Sequence, residues 1–82
     1  MKIEILGTGC PNCRRLEALV VEVAAAEKVK PEIAEVTDIP AIMSYGIMHT
    51  PGIVIDGELK ASGRIPTRSE VAHWLREAAA KA

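Results

Sequence analysis

At 82 residues the chain has room for one domain, 1–82, and a single core. Ten basic side chains against eleven acidic ones leave a net charge of −1, which excludes strong electrostatic attraction to nucleic acid or to an anionic membrane. Phe is absent and Trp74 and Tyr45 are the only aromatics, so the core is aliphatic and no stacking platform for single-stranded nucleic acid exists.

Residues 2–6, KIEIL, alternate polar and apolar and read as a strand, broken by Gly7, Thr8 and Gly9. From Pro11 to about Lys28, Leu16, Leu19, Val20, Val23 and Ala24 recur at helical spacing, with Pro11 suited to the first turn. Arg14, Arg15, Glu17 and Glu22 fall on the other faces. Pro31 closes the connection to a second strand, Glu32–Val36. Thr37 and Asp38 offer N-caps for a short helix from about Ile39 to Tyr45, with Pro40 in its first turn and Gly46 as its stop. Asp56-Gly57 lies between two strand-like runs within residues 52–62, a hairpin signal. Thr67 and Glu70 form a T-x-x-E capping box before a last helix from Arg68 to near the end, with Val71, Trp74, Leu75 and Ala78 on its apolar face.

The order is βαβαββα. A right-handed crossover makes the first two strands parallel neighbours, and the hairpin adds an antiparallel pair. An α/β fold follows, with a four-stranded mixed sheet in order 2-1-3-4 and helices on both faces. No apolar run approaches the roughly 20 residues of a membrane span. The start, MKIEILGTG, is unlike a signal peptide, which makes the cytoplasm the expected compartment.

Cys10 and Cys13 are the only cysteines, spaced C-x-x-C where the first helix begins. A helix N-terminus offers free N–H groups and the positive end of the macrodipole, which favour a thiolate. Cys10, at the cap, is therefore expected to titrate well below a free thiol. Cys13 lies one turn in, in phase with Leu16 and Val20, and is expected to face the core. An accessible Cys10 would attack a substrate disulfide and a shielded Cys13 would resolve the mixed disulfide. The same pair could instead bind metal, since a close cysteine pair in a reducing compartment serves either chemistry.

Forty residues on stands "HTPGIVIDG", residues 49–57. With CPNC at the first helix, Thr50-Pro51 before the hairpin and "DGELKASGRIPTRSEVAHWL" at the end, the chain resembles the thioredoxin superfamily. The likeness is greatest to its very small thioredoxin-like and glutaredoxin-like redox-active disulfide proteins. The resemblance implies a thioredoxin-like fold and a dithiol–disulfide oxidoreductase that needs no cofactor or metal. It also implies a cis bond at Thr50-Pro51, which exposes the backbone of Thr50 to an extended substrate. Pro11 and Asn12 would complete the docking surface. Expected partners are disulfide-containing substrate proteins and a thioredoxin-reductase-like electron donor.

The chain departs from thioredoxins in placing Thr8-Gly9 before Cys10 and Pro11-Asn12 between the cysteines, and from glutaredoxins in the segment Ser62–Pro66. Glu4, six positions before Cys10, occupies the offset at which thioredoxins carry a buried aspartate. A carboxylate there could take the proton from Cys13 during resolution. His49 adjoins Thr50-Pro51, Met43 and Met48 read as core filler, Trp74 reads as core, and His73 falls on the exposed face of the last helix. The alternative reading is a metal-binding module, either copper chaperone-like or a dimer sharing its cysteine pairs around a metal. Copper chaperones also carry C-x-x-C between a first strand and helix, but they run βαββαβ.

Overall fold

Residues 1–81 are described by a computed structural model. The strand β1 (Lys2–Leu6) is central because both of its faces carry side chains that must be covered. Ile3 and Ile5 point to one face, and Glu4 and Leu6 to the other. On one side β1 pairs in parallel with β2 (Glu32–Val36), and on the other in antiparallel with β3 (Gly52–Ile55). Antiparallel β4 (Glu58–Ser62) completes the sheet in the order β2-β1-β3-β4, as the element order requires. The β3–β4 turn is Asp56-Gly57, with φ of 49° and 83°, the left-handed pair of a type I′ hairpin. A register shift between Ile53 and Val54 leaves Lys60 as an extra residue on β4.

The helix α1 (Pro11–Ala26) and the C-terminal helix α3 (Arg68–Ala80) cover one face of the sheet. Leu16, Val20, Val23 and Ala24 meet Val71 and Leu75 over Ile3, Ile5, Ile53 and Ile55 in an aliphatic core. Trp74, expected inside, packs half-buried on its edge. The T-x-x-E capping box forms as expected, with Glu70 N–H donating to Thr67 Oγ1 at 3.1 Å and Thr67 N–H to Glu70 at 3.0 Å. The helix α2 (Ile39–Met43) covers the other face, where Ile42 and Ile47 pack on Leu6 and Val54.

Two helices are shorter than their sequence patterns. The first ends at Ala26 because Lys28 adopts φ of 58° and a Schellman pair forms, Val29 N–H to the Ala24 carbonyl and Lys28 N–H to that of Ala25. A lysine occupies the place usually held by glycine, so no sequence signal marked the stop. The second ends at Met43, and Ser44–Gly46 form the turn that Gly46 closes at φ of 77°. Of its two candidate caps, Asp38 serves, accepting from Ala41 N–H at 3.1 Å.

Candidate active site

The parallel β1–β2 pairing runs its last hydrogen bond, Gly7 N–H to the Val36 carbonyl at 3.0 Å, to the point where the chain leaves the sheet. Gly9, at φ of 83°, turns the chain upward, a conformation that favours glycine. Cys10 then caps α1 from extended backbone, φ −67° and ψ 160°. Its sulfur accepts a hydrogen bond from Cys13 N–H at 3.2 Å, as the oxygen of an ordinary N-cap side chain would. Pro11 sits in the first turn, where its missing N–H costs nothing.

Cys10 and Cys13 are joined in a disulfide, their Cα atoms 5.1 Å apart. Their environments differ as the helical phase predicts. Cys10 is half-buried at the surface, whereas Cys13 retains only 6% exposure. Beneath Cys13 lies Gly7. A Cβ built on Gly7 would overlap Cys13 Sγ, stand 3.2 Å from Cys13 Cβ, and lie 3.9 Å from Thr50 Cβ. Gly7, Cys13 and Thr50 therefore converge on one point, and the absence of a side chain on Gly7 lets the sulfur settle there. Gly7 read in the sequence only as a strand breaker. Its position at the end of β1, directly before the cysteine loop, was the available signal.

The bond between Thr50 and Pro51 is cis. Pro51 is fully buried, and its carbonyl accepts from Gly63 N–H at 2.8 Å, tying the segment to the end of β4. Thr50, which precedes it, is exposed, as are Pro11 and Asn12 in the first turn of α1. His49, also exposed, has its Cβ 3.1 Å from where a Cβ on Gly63 would stand. Among the described residues, no three His, Cys, Asp or Glu side chains come together as a metal site would need.

Two methionines differ from expectation. Met43 is 65% and Met48 91% exposed, so neither fills the core. α2 has only one buried position, Ile42, and the turn after it buries Ile47, which leaves Met43 and Met48 outward. With Ile39 they border an apolar groove of about 340 Å³ that reaches His49 and Thr50. A larger cleft, about 500 Å³, lies between the C-terminal end of α1 and the start of β2, lined by Val21, Ala24, Val29 and Ile33. It sits at the far end of α1 from the cysteines and offers their chemistry nothing.

Glu4 is half-buried on the α2 face of the sheet, and its Oε1 accepts a hydrogen bond from the Tyr45 hydroxyl at 3.1 Å. This contact raises the phenol above its ordinary value of 10.0, with burial and the charge of Glu4 adding to the effect. In the sequence Tyr45 stood out only as one of two aromatics. The loop before α3 carries a second charged pair, Arg64 bidentate on Glu70 at 2.9 and 2.8 Å. Arg64, with the capping bond from Thr67, pulls the Glu70 carboxyl down to about 2.

A thioredoxin-domain family model matches residues 1–76. The chain is 37% identical over 71 residues to a thioredoxin of Methanothermobacter thermautotrophicus, covering 87% of this chain and 92% of that one. It is 32% identical over 74 residues to a thioredoxin of Methanocaldococcus jannaschii, covering 90% and 85% respectively. Together with a cap-position cysteine disulfide-bonded to a buried partner, these likenesses make the chain a member of the thioredoxin family and a dithiol–disulfide oxidoreductase.

Proposed function

We propose that residues 1–82 work as one domain that reduces protein disulfides, with Cys10 as the attacking sulfur and Cys13 as the resolving one. The observation that carries this assignment is the contrast in access, a half-buried Cys10 on the helix cap above a Cys13 sealed against Gly7. In the reduced protein the Cys10 thiolate attacks one sulfur of the substrate disulfide. That bond breaks, and the other substrate sulfur leaves as a thiolate that takes a proton from water. Cys13 then loses its proton and attacks Cys10 Sγ. The Cys10–Cys13 bond forms, and the remaining substrate sulfur departs with the electron pair of the broken mixed disulfide. Two electrons pass to the substrate, and a thioredoxin-reductase-like donor returns them.

Glu4 is the base for the Cys13 proton. In support, Glu4 is a half-buried carboxylate on the strand that leads directly into the cysteine loop. Thr50, Pro11 and Asn12 form the docking edge, and Pro51, expected on that edge, is buried behind Thr50 and serves it from beneath. An extended substrate segment pairs with the backbone of Thr50 and places an apolar side chain in the groove beside Met43 and Met48. The cytoplasm is the working compartment. In support, thiols are kept reduced there, and no helix among the described residues is long and apolar enough to cross a membrane.

Cys13→Ser should accumulate a mixed disulfide between Cys10 and a substrate protein, because nothing remains to resolve it. Cys10→Ser should accumulate none. Non-reducing electrophoresis with mass mapping of the linked peptide reads both, and equal trapping by the two variants would refute the division of roles.

A further inference from the structure

We propose that Tyr45 is a positioning residue for the redox reaction, its hydroxyl holding the Glu4 carboxylate in the orientation from which the carboxylate takes the Cys13 proton. This rests on the reading of Glu4 as the base. The contact joins residues far apart in the chain, a central strand and the turn after α2.

The phenol is well placed to orient a carboxylate. Tyr45 packs against the cluster of Leu6, Ile42, Ile47 and Val54, and its N–H is bonded to the Ile42 carbonyl at 3.1 Å. Gly46 then turns the chain away at φ of 77°. The ring is thus fixed by packing and by backbone, and its hydroxyl has one partner, Glu4 Oε1. Among the described residues nothing else hydrogen-bonds that carboxylate, so Oε2 remains the oxygen able to receive a proton. The neighbours of Glu4 across the sheet, Ala34 on β2 and Val54 on β3, carry no charge. From β4, Lys60 is engaged with Glu58 at 3.2 Å, and α1 and α3 pack on the opposite face. Lys2 and Glu32, one pair along the same face of β1 and β2, are the nearest charges, and Tyr45 is the group that hydrogen-bonds Glu4. A single donated hydrogen bond fixes the direction in which the carboxylate points.

The test mixes the reduced full chain with dithiobis-nitrobenzoate in a stopped-flow instrument across a pH series. Attack by Cys10 releases the first coloured thiolate, and attack by Cys13 on the mixed disulfide releases the second. Because the leaving group needs no proton, the pH profile of the second phase reports proton removal from Cys13. Glu4→Gln should slow that phase about tenfold or more. Tyr45→Phe keeps the ring and should slow that phase roughly 3–10-fold. The first phase should be unaffected in both, and the double variant should be no slower than Glu4→Gln. As the sole tyrosine, Tyr45 also reports directly through tyrosinate absorbance, titrating above 10.0 in the native chain and falling back in Glu4→Gln. A Glu4→Gln variant with an unchanged second phase would overturn both the base and its positioning residue. A slowed Glu4→Gln with a native second phase in Tyr45→Phe would overturn the role of Tyr45 alone.

Discussion

Gly7→Ala isolates the packing on which the buried sulfur depends. Gly7 is not in the left-handed region, so its backbone accepts alanine and the effect of the substitution is steric. The new methyl would overlap Cys13 Sγ and press on Cys13 Cβ at 3.2 Å. In the disulfide form that sulfur is tethered to Cys10 and that Cβ is fixed by the first turn of α1, so relief requires the helix terminus to shift. Overpacking of this kind costs about 1–3 kcal/mol. In the dithiol form Cys13 Sγ can rotate away, at about 0.5–1.5 kcal/mol if it leaves a rotamer well. The loss of unfolded-chain entropy on replacing glycine acts on both forms alike and cancels. A net penalty of roughly 0.5–2 kcal/mol against the disulfide remains. For a two-electron couple this raises the reduction potential by about 10–45 mV. Equilibration with glutathione buffers, followed by alkylation and mass analysis, measures the shift. Thermal melts of both forms should show the oxidised protein losing more, on the order of 5–20 °C for its 1–3 kcal/mol. An unchanged or lowered potential, with equal loss in the two melts, would refute the argument that Cys13 occupies the space of the missing side chain.

Two further outcomes follow from the site and its supporting loop. Alkylating the reduced protein over a pH series should label Cys10 first, with a thiol midpoint at least about one unit below a free cysteine, since the cap amides and macrodipole favour its thiolate; dominant labelling of Cys13 near neutral pH would reverse the roles. Glu70 is ionised down to about 2 in the folded chain against an ordinary 4.5, so its stabilising contribution is present above 4.5 and is lost as pH falls from there toward 2. Arg64→Gln should lessen that acid-side fall in the thermal midpoint, and an unaltered fall would show that Arg64 does not hold the carboxylate.

Local signals in the chain were enough for the sheet order. Period-two alternation in Lys2–Leu6, the Asp56-Gly57 turn and the Thr67–Glu70 capping box act through neighbouring residues, and the crossover rule leaves few ways to join the elements they mark. The split between Cys10 and Cys13 was legible for the same reason, because a helix cap and a helical phase are both set within one turn. Helix ends were less so. Lys28 takes a left-handed conformation that the hydrogen bonds of the chain reversal impose against its own preference.

What only the tertiary structure decided are the contacts between residues distant in the chain. Gly7 against Cys13 and Thr50 depends on three elements meeting, and nothing in the letter G distinguishes a strand end from a seat for sulfur. Tyr45 reaches Glu4 because α2 crosses the sheet at one particular place, and nothing local to either residue pairs them. Met43 and Met48 read as core because they are apolar. A helix of five residues over the two central strands has inward room for Ile42 and little else, so burial there was settled by the area available and not by hydropathy.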